Sequence, residues 1–220
     1  MSAGPRADGP PRHFGLYPAL VTDLVDPDTL GRIQVKLPWL GADGSDVRAW
    51  ATLLTPYADD DQGFQALPEV DTQVVVGFEA GDPRRPYIVG SCWNGKEKLP
   101  EAAAKPNNKR LIKTREKSLL EFDDTAGAVK ITLSTQSGHK LVLDAGAMEI
   151  KVTHSSGPTI TMDAAGNVKV NANVNIDLTG SVLNVHAPVA NFDGIINCQT
   201  MIASVGVVSP SYTPGAGNVW

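Results

Sequence analysis

The sequence predicts an all-β protein in two parts. A small N-terminal barrel of short strands comes first, and a long ladder of repeated strands follows it. Three observations carry this prediction. Between Phe122 and Cys198 one phrase recurs: FDDTAGAVKI, LDAGAMEIKV, MDAAGNVKV, IDLTGSVLNV and a worn FDGIINC. Each copy joins an apolar residue, an Asp, a nearby Gly and an alternating apolar run, and such internal repetition marks stacked supersecondary units. The alternation has a period of two. Val168, Val170, Ala172, Val174, Ile176 and Leu178 share one parity, with Lys169, Asn171, Asn173, Asn175 and Asp177 between them, so the two sets face opposite sides of a strand. Finally, His13 to Leu99 holds five short apolar runs separated by turn-forming clusters, the pattern of a small all-β domain.

Taken in order, residues 1–12 are rich in Pro, Gly and Ala and read as a flexible arm. Residues 13–95 form the barrel, with strands expected at Leu16–Leu24, Ile33–Leu37, Ala49–Leu54, Gln73–Phe78 and Tyr87–Cys92. Turns fall at Asp26-Pro27-Asp28, Gly41–Gly44, Asp59–Gly63 and Gly81-Asp82-Pro83. Five strands in under a hundred residues suggest the oligomer-binding (OB) barrel, the commonest five-stranded one. Residues 96–118 read as a linker and collar, because prolines exclude a long helix and Lys109 to Lys117 is basic. The repeats occupy 119–208, and a tail rich in small residues and prolines, 209–220, ends the chain.

The repeat region has a packing problem. Its copies are narrow, and the only aromatics after Phe122 are Phe192, Tyr212 and Trp220. One chain alone would leave strand edges and an apolar row exposed. It can coil into its own solenoid, or several chains can close one another's edges. Solenoids keep a near-constant period, whereas Asp123, Asp144, Asp163, Asp177 and Asp193 are unevenly spaced, which favours intertwined chains.

Composition narrows the function. The net charge of −5 in 220 residues argues against nonspecific nucleic-acid binding. The two cysteines, Cys92 and Cys198, imply no disulfide framework. No apolar core of signal-peptide length opens the sequence, so synthesis in the cytoplasm without a signal peptide is expected. His13, His139, His154 and His186 match no zinc spacing. Ser137 beside His139, and Ser155 and Ser156 beside His154, lack an evident orienting acid. Asp59-Asp60-Asp61 lacks the spaced ligands of a calcium loop. Trp39, Trp50 and Trp93 read as barrel core or subunit contacts rather than base-stacking platforms. No catalytic residue, metal or cofactor is expected.

Three phrases then carry a resemblance: DPDTLGRIQVKLPW (Asp26–Trp39), FQALPEVDTQVVVGFEAGDPRRPYIVGSCWNG (Phe64–Gly95) and NKRLIKTREKSLLEFDDTAG (Asn108–Gly127). Their content and order resemble the contractile-tail spikes, namely phage baseplate assembly protein V and the valine-glycine-repeat (VgrG) spikes of type VI secretion. The resemblance covers about residues 13 to 200. It implies a homotrimer with three OB barrels on the tail hub and three C-terminal ladders wound into an intertwined triple-stranded β-helix needle. That needle would be driven through a target envelope. The needle-core positions are then Leu141, Leu143, Ile150, Val152, Ile160, Met162, Val168, Val170, Val174, Ile176, Leu178, Leu183 and Val185. Only a short arm precedes the barrel here, so the hub is expected to be a separate protein. His186 has no second His two residues away, so the iron-binding tip of some short spikes is not expected. The remaining option is a separate tip protein of the PAAR type, on a platform of Ile195, Ile196, Met201, Ile202, Val205, Val207 and Val208.

The expected function is therefore that of a structural central spike, not an enzyme, assembled into the baseplate of a phage-tail-like particle. A trimeric tail fibre or adhesin is the alternative, but it would need a recognition end that the short tail does not offer. A hexapeptide-repeat acyltransferase would need a six-residue period, and an OB nucleic-acid binder would need a cationic groove.

Overall fold

The computed structural model describes residues 12–41, 45–206 and 208, which divide after Val170 into two units. The first unit opens with β1 (Tyr17–Asp23), β2 (Ile33–Lys36), β3 (Arg48–Leu53), β6 (Gln73–Phe78) and β7 (Pro86–Ser91). These close into a barrel in the order β1-β2-β3-β7-β6, antiparallel except for the parallel pair β3–β7. The result is an OB-like five-stranded barrel on the five strands expected from the sequence. A two-residue hairpin, β4 (Ala58–Asp59) and β5 (Gln62–Gly63), occupies the turn expected at Asp59–Gly63.

Alternation explains the barrel. Ala19 and Val21, Ile33 and Val35, Val74 and Val76 point inward two apart, and with Leu37, Ala51 and Ile88 they form the buried core. Aromatics close one end. His13, Tyr17, Trp39 and Phe78 pack ring against ring, with Tyr17 stacked on Trp39 at 4.3 Å between centroids. The Trp39 indole N–H donates to the Pro18 carbonyl at 2.8 Å, which satisfies the one polar atom of that side chain. Trp50 lies under the Arg32 guanidinium, and Trp93 is exposed.

The β1–β2 loop is held from within. The Asp26 carboxylate accepts backbone N–H groups of Asp28, Leu30 and Arg32 at 3.1 to 3.2 Å. Arg32 donates to both of its oxygens at 2.8 Å and to Asp28 at 2.7 Å. Hydrogen bonds from Arg32 hold the Asp26 carboxyl far below the usual carboxylate range, against the opposing effect of burial. The Asp-Pro-Asp turn is thus a clamp around a buried carboxylate.

Beyond the barrel, seven strands form an antiparallel meander: β8 (Lys109–Lys113), β9 (Leu119–Asp123), β10 (Lys130–Ser134), β11 (Lys140–Asp144), β12 (Glu149–Thr153), β13 (Thr159–Met162) and β14 (Val168–Asn171). Within residues 96–118, expected as linker and collar, the basic stretch Lys109–Lys113 is a paired edge strand. Its charged residues had hidden Leu111 and Ile112.

Four of the six turns between these strands share one geometry. Thr114, Thr135, His154 and Asp163 each accept an N–H from the residue three positions on, and each donates its own N–H to the carbonyl four positions on. The fourth residue is then left-handed: Gly138, Gly157 and Gly166 supply it freely, and Lys117 does so at φ 61°. In the last turn Asp163 also accepts from the Asn167 side chain, the Ala165 and Asn167 N–H groups, and Lys169. Asn167 and then Lys169 stabilise its charged form, lowering its pKa from 3.8 to about 2. A pKa lowered on folding adds stability above the unfolded value, which is lost as pH falls through the folded one. A carboxyl titration followed by NMR is therefore expected to show an Asp163 midpoint near 2, and the protection of amides in this turn, relative to their intrinsic exchange rates at the same pH, falling as the pH drops from about 4 toward 2.

The second unit, from Asn171 onward, contains no further strand among its described residues, and their side chains are exposed. Its alternating residues Val174, Ile176 and Leu178 are therefore unpaired within the single chain. No helix among the described residues is long and apolar enough to cross a membrane.

Candidate functional site

The seven-stranded sheet has two unlike faces because its registers align the period-two patterns of consecutive strands. One cross-strand row runs Ile112, Leu120, Leu133, Leu141, Val152, Ile160. The next runs Arg110, Phe122, Ile131, Leu143, Ile150, Met162. Directly paired residues share a face, so these rows make one apolar surface six strands wide, interrupted only by Arg110 at the β8 edge. Arg110 is turned aside by the Asn107 carbonyl and the Asp124 carboxylate.

The opposite face is polar. Its first row alternates in charge through Lys109, Asp123, Lys130 and Asp144, the favourable arrangement for cross-strand neighbours, and then sets Asp144 opposite Glu149. A hydrogen bond to Glu101, then the charge of Glu121, raises the Lys109 pKa. Hydrogen bonds from the Thr125 side chain and backbone lower that of Asp123.

The apolar face lacks a cover. Leu133 is 53% exposed, and Phe122, Leu143, Ile150, Val152, Ile160 and Met162 are each more than a third exposed. Isolated exposed apolar residues are ordinary, but a contiguous surface of this extent marks an interaction site. Its two outer strands, β8 and β14, also each leave one edge without a strand neighbour in the single chain, a template for pairing with another chain.

Of the residues expected in the needle core, Leu141, Leu143, Ile150, Val152, Ile160 and Met162 stand together on this face. Val168 and Val170 lie on β14, both exposed. Val174, Ile176, Leu178, Leu183 and Val185 lie beyond the last strand and are exposed. The platform residues Ile195, Ile196, Met201, Ile202, Val205 and Val208 are exposed and in no strand, and Val207 lies outside the described residues. So do residues 1–11 of the arm and the tail 209–220. Sequence reasoning missed Ile112, Leu120, Phe122, Ile131 and Leu133 as members of the same surface. Their signal was present, since LLEF and KITLS alternate with the same period.

His139 and His154 meet at the turn end of the sheet, ring centroids 4.3 Å apart. The Nδ1 of His139 accepts the Ser155 N–H, and that of His154 lies 2.8 Å from Ser156 Oγ. Among the described residues, no group of three or more His, Cys, Asp or Glu is placed to hold a metal.

Known proteins place these two sheets in one context. Residues 17–93 match the family model of the type VI secretion system/phage-baseplate injector OB domain. Residues 109–182 match that of the phage baseplate V C-terminal trimerisation domain. A type VI secretion system spike protein of Vibrio cholerae, VgrG3, is 26% identical over 172 residues, which is 72% of this chain and 16% of that protein. The Pseudomonas aeruginosa spike protein VgrG2a is 28% identical over 61% of this chain and 16% of its own length. The actin cross-linking toxin VgrG1 of Vibrio cholerae is 26% identical over 60% of this chain and 12% of its own. The chain thus spans about a sixth or less of the length of these relatives. The trimerisation match supports a homotrimer, and with the barrel, the sheet and the order of the two matched segments it leads to one conclusion: the chain belongs to the contractile-tail spike family of baseplate V and VgrG-like proteins.

Proposed function

We propose that this chain is the central spike of a contractile injection machine, with a structural role and no catalytic one. Three copies cover one another's apolar faces and continue beyond Asn171 as an intertwined triple-stranded β-helix. The uncovered two-row face of the sheet is the observation that carries this reading. At about 25 cal/mol per Å² of apolar surface removed from water, covering such a face is the main available driving force for association. The same argument extends to Val174, Ile176, Leu178, Leu183 and Val185. Their alternation needs strand partners that the single chain does not supply, and two neighbouring chains would supply them.

A needle built this way satisfies backbone hydrogen bonds along its length and encloses an apolar centre, so it resists bending and suits the piercing of an envelope. The barrel end would seat on a separate tail hub, and the exposed residues Ile195, Ile196, Met201, Ile202 and Val205 would carry a PAAR-type tip protein. Assembly would take place in the baseplate of a tail-like particle, after synthesis in the cytoplasm. Capture of a purified PAAR-type protein by the full chain on size exclusion tests the tip assignment. A variant ending at Gly194 is expected to remain trimeric and lose capture, while capture that survives this truncation would move the platform elsewhere.

A further inference from the structure

Register places His139 and His154 opposite each other. Lys140 pairs with Thr153, so the next position out on each strand brings one imidazole against the other. Counting by two from Leu141 and from Val152 puts both on the apolar face, at the turn end of the sheet. Their rings lie 4.3 Å apart between centroids and are tilted by 51°. The two turns that hold them also touch, since a Cβ built on Gly138 would meet the Ser155 Cβ at 3.6 Å.

The hydrogen bonds fix the charge state of the pair. His139 Nδ1 accepts the Ser155 N–H at 3.3 Å, and His154 Nδ1 accepts the Ser156 N–H at 3.2 Å. A backbone amide only donates, so each Nδ1 presents a lone pair and each neutral ring carries its proton on Nε2. The first of these bonds ties the β10–β11 turn to the β12–β13 turn, and the second closes the β12–β13 turn on itself. A further proton on either ring has to go to Nδ1, where it faces an N–H and removes that bond. Ser156 Oγ, 2.8 Å from His154 Nδ1, can rotate to accept such a proton. Among the described residues His139 Nδ1 has no such acceptor.

The surroundings offer a charged pair nothing. The neighbours in its row are Thr135, whose N–H donates to the His139 carbonyl, and Pro158, whose carbonyl accepts the His154 N–H. Lys140 is the charged residue at this end of β10 to β13, and alternation puts it on the polar face with Thr153. Lys151 lies on that face as well, and Lys130, Asp144, Glu149 and Asp163 stand at the opposite end of the strands. Two imidazolium ions would therefore be like charges directly opposite on adjacent strands, beside Leu141 and Val152 and with no carboxylate between them. Opening the turn separates them and frees both Nδ1 atoms. Protons thus bind the open turn more readily than the closed one, and acid favours opening.

We propose that the His139–His154 pair is an acid-sensitive latch between the β10–β11 and β12–β13 turns, closed by neutral imidazoles and released when they are protonated. The latch lies within one chain, so it does not depend on the number of copies that assemble. Hydrogen exchange of the segment from Ser155 to Thr159 in the full chain tests it, with protection taken relative to intrinsic rates at each pH. From pH 7.5 to pH 5.5, an interval in which histidine side chains gain their proton while carboxylates keep their charge, protection is expected to fall several-fold. The double variant His139→Asn with His154→Asn keeps an amide oxygen where each Nδ1 accepts and cannot ionise. It is expected to match the native protection at pH 7.5 and hold it to pH 5.5. A flat native profile, or an equal fall in the variant, overturns the latch. The tautomer gives a check that needs no variant. Imidazole nitrogen-15 shifts of the native chain at pH 7.5 are expected to report both rings as Nε2–H, and an Nδ1–H form at either ring overturns the proposal.

Discussion

Val152→Asp is expected to leave the full chain monomeric. Val152 stands at the middle of the first apolar row, paired with Leu141 on one side and Ile160 on the other. If three copies cover these rows, the substitution buries three carboxylates with no cationic partner on that face except the distant Arg110. The effective penalty for an unpaired buried ion is several kcal/mol, so three cost on the order of 10 kcal/mol per trimer. That is comparable to the whole stability of a typical domain. Lys151→Asp is the control. It changes the neighbouring residue, whose side chain lies on the polar face in register with Val142 and Thr161, and is expected to keep the trimer. Sedimentation velocity on both variants separates the readings: a trimeric Val152→Asp would mean that this face is not the one buried.

Arg32→Ala is expected to lower the melting temperature of the barrel by about 10 °C, the scale for loss of a buried pair in a domain of this size. The two partners are not equivalent. The Asp26 side chain keeps 3% of its exposure and Arg32 keeps 26%. Removing Arg32 strands a buried carboxylate, whereas Asp26→Asn leaves a partly solvated guanidinium that still has Asp28, and keeps an amide oxygen for the loop N–H groups. The arginine variant is therefore expected to be the less stable of the two. The pH dependence follows from the direction of the Asp26 shift. In the native chain its lowered pKa adds stability above the unfolded carboxyl value, and that stability is lost only in strong acid. Without Arg32 the strongest influence holding the carboxyl down is gone, so its pKa rises from its native position toward that of the unfolded chain, and falling pH relieves the buried charge sooner. The gap in melting temperature between native and Arg32→Ala proteins is expected to narrow from pH 7 to pH 4. A gap that widened, or an asparagine variant worse than the alanine one, would contradict the clamp.

The barrel was legible in the sequence because its strands are short, alternate cleanly and are bounded by Pro, Gly and Asp. Its closure was not. The parallel pairing of β3 with β7 and the β1–β6 seam join segments distant in sequence, and no local pattern encodes them. The Asp26–Arg32 clamp was visible only as turn chemistry, since its long-range logic is the burial of one carboxylate. In the ladder, alternation located the apolar face from Leu141 to Met162 but understated its width. Lys109, Arg110 and Lys113 disguised β8 as a basic collar, and Leu120, Phe122, Ile131 and Leu133, though inside the repeats, were not counted among the core positions. Past Asn171 the alternation runs on to Leu178 without a strand in the single chain. Period two shows which side chains could share a face. A strand also needs a partner edge, and among the described residues beyond Asn171 the single chain supplies none.

The most direct test of the account is the mass and shape of the full chain in solution, by size exclusion with light scattering and sedimentation velocity. The account predicts a stable species of three chains with the slow sedimentation of an elongated particle, unchanged on dilution. A compact monomer that keeps its secondary structure would contradict it, because the two-row apolar face and the strandless alternation beyond Asn171 would then have no covering partner.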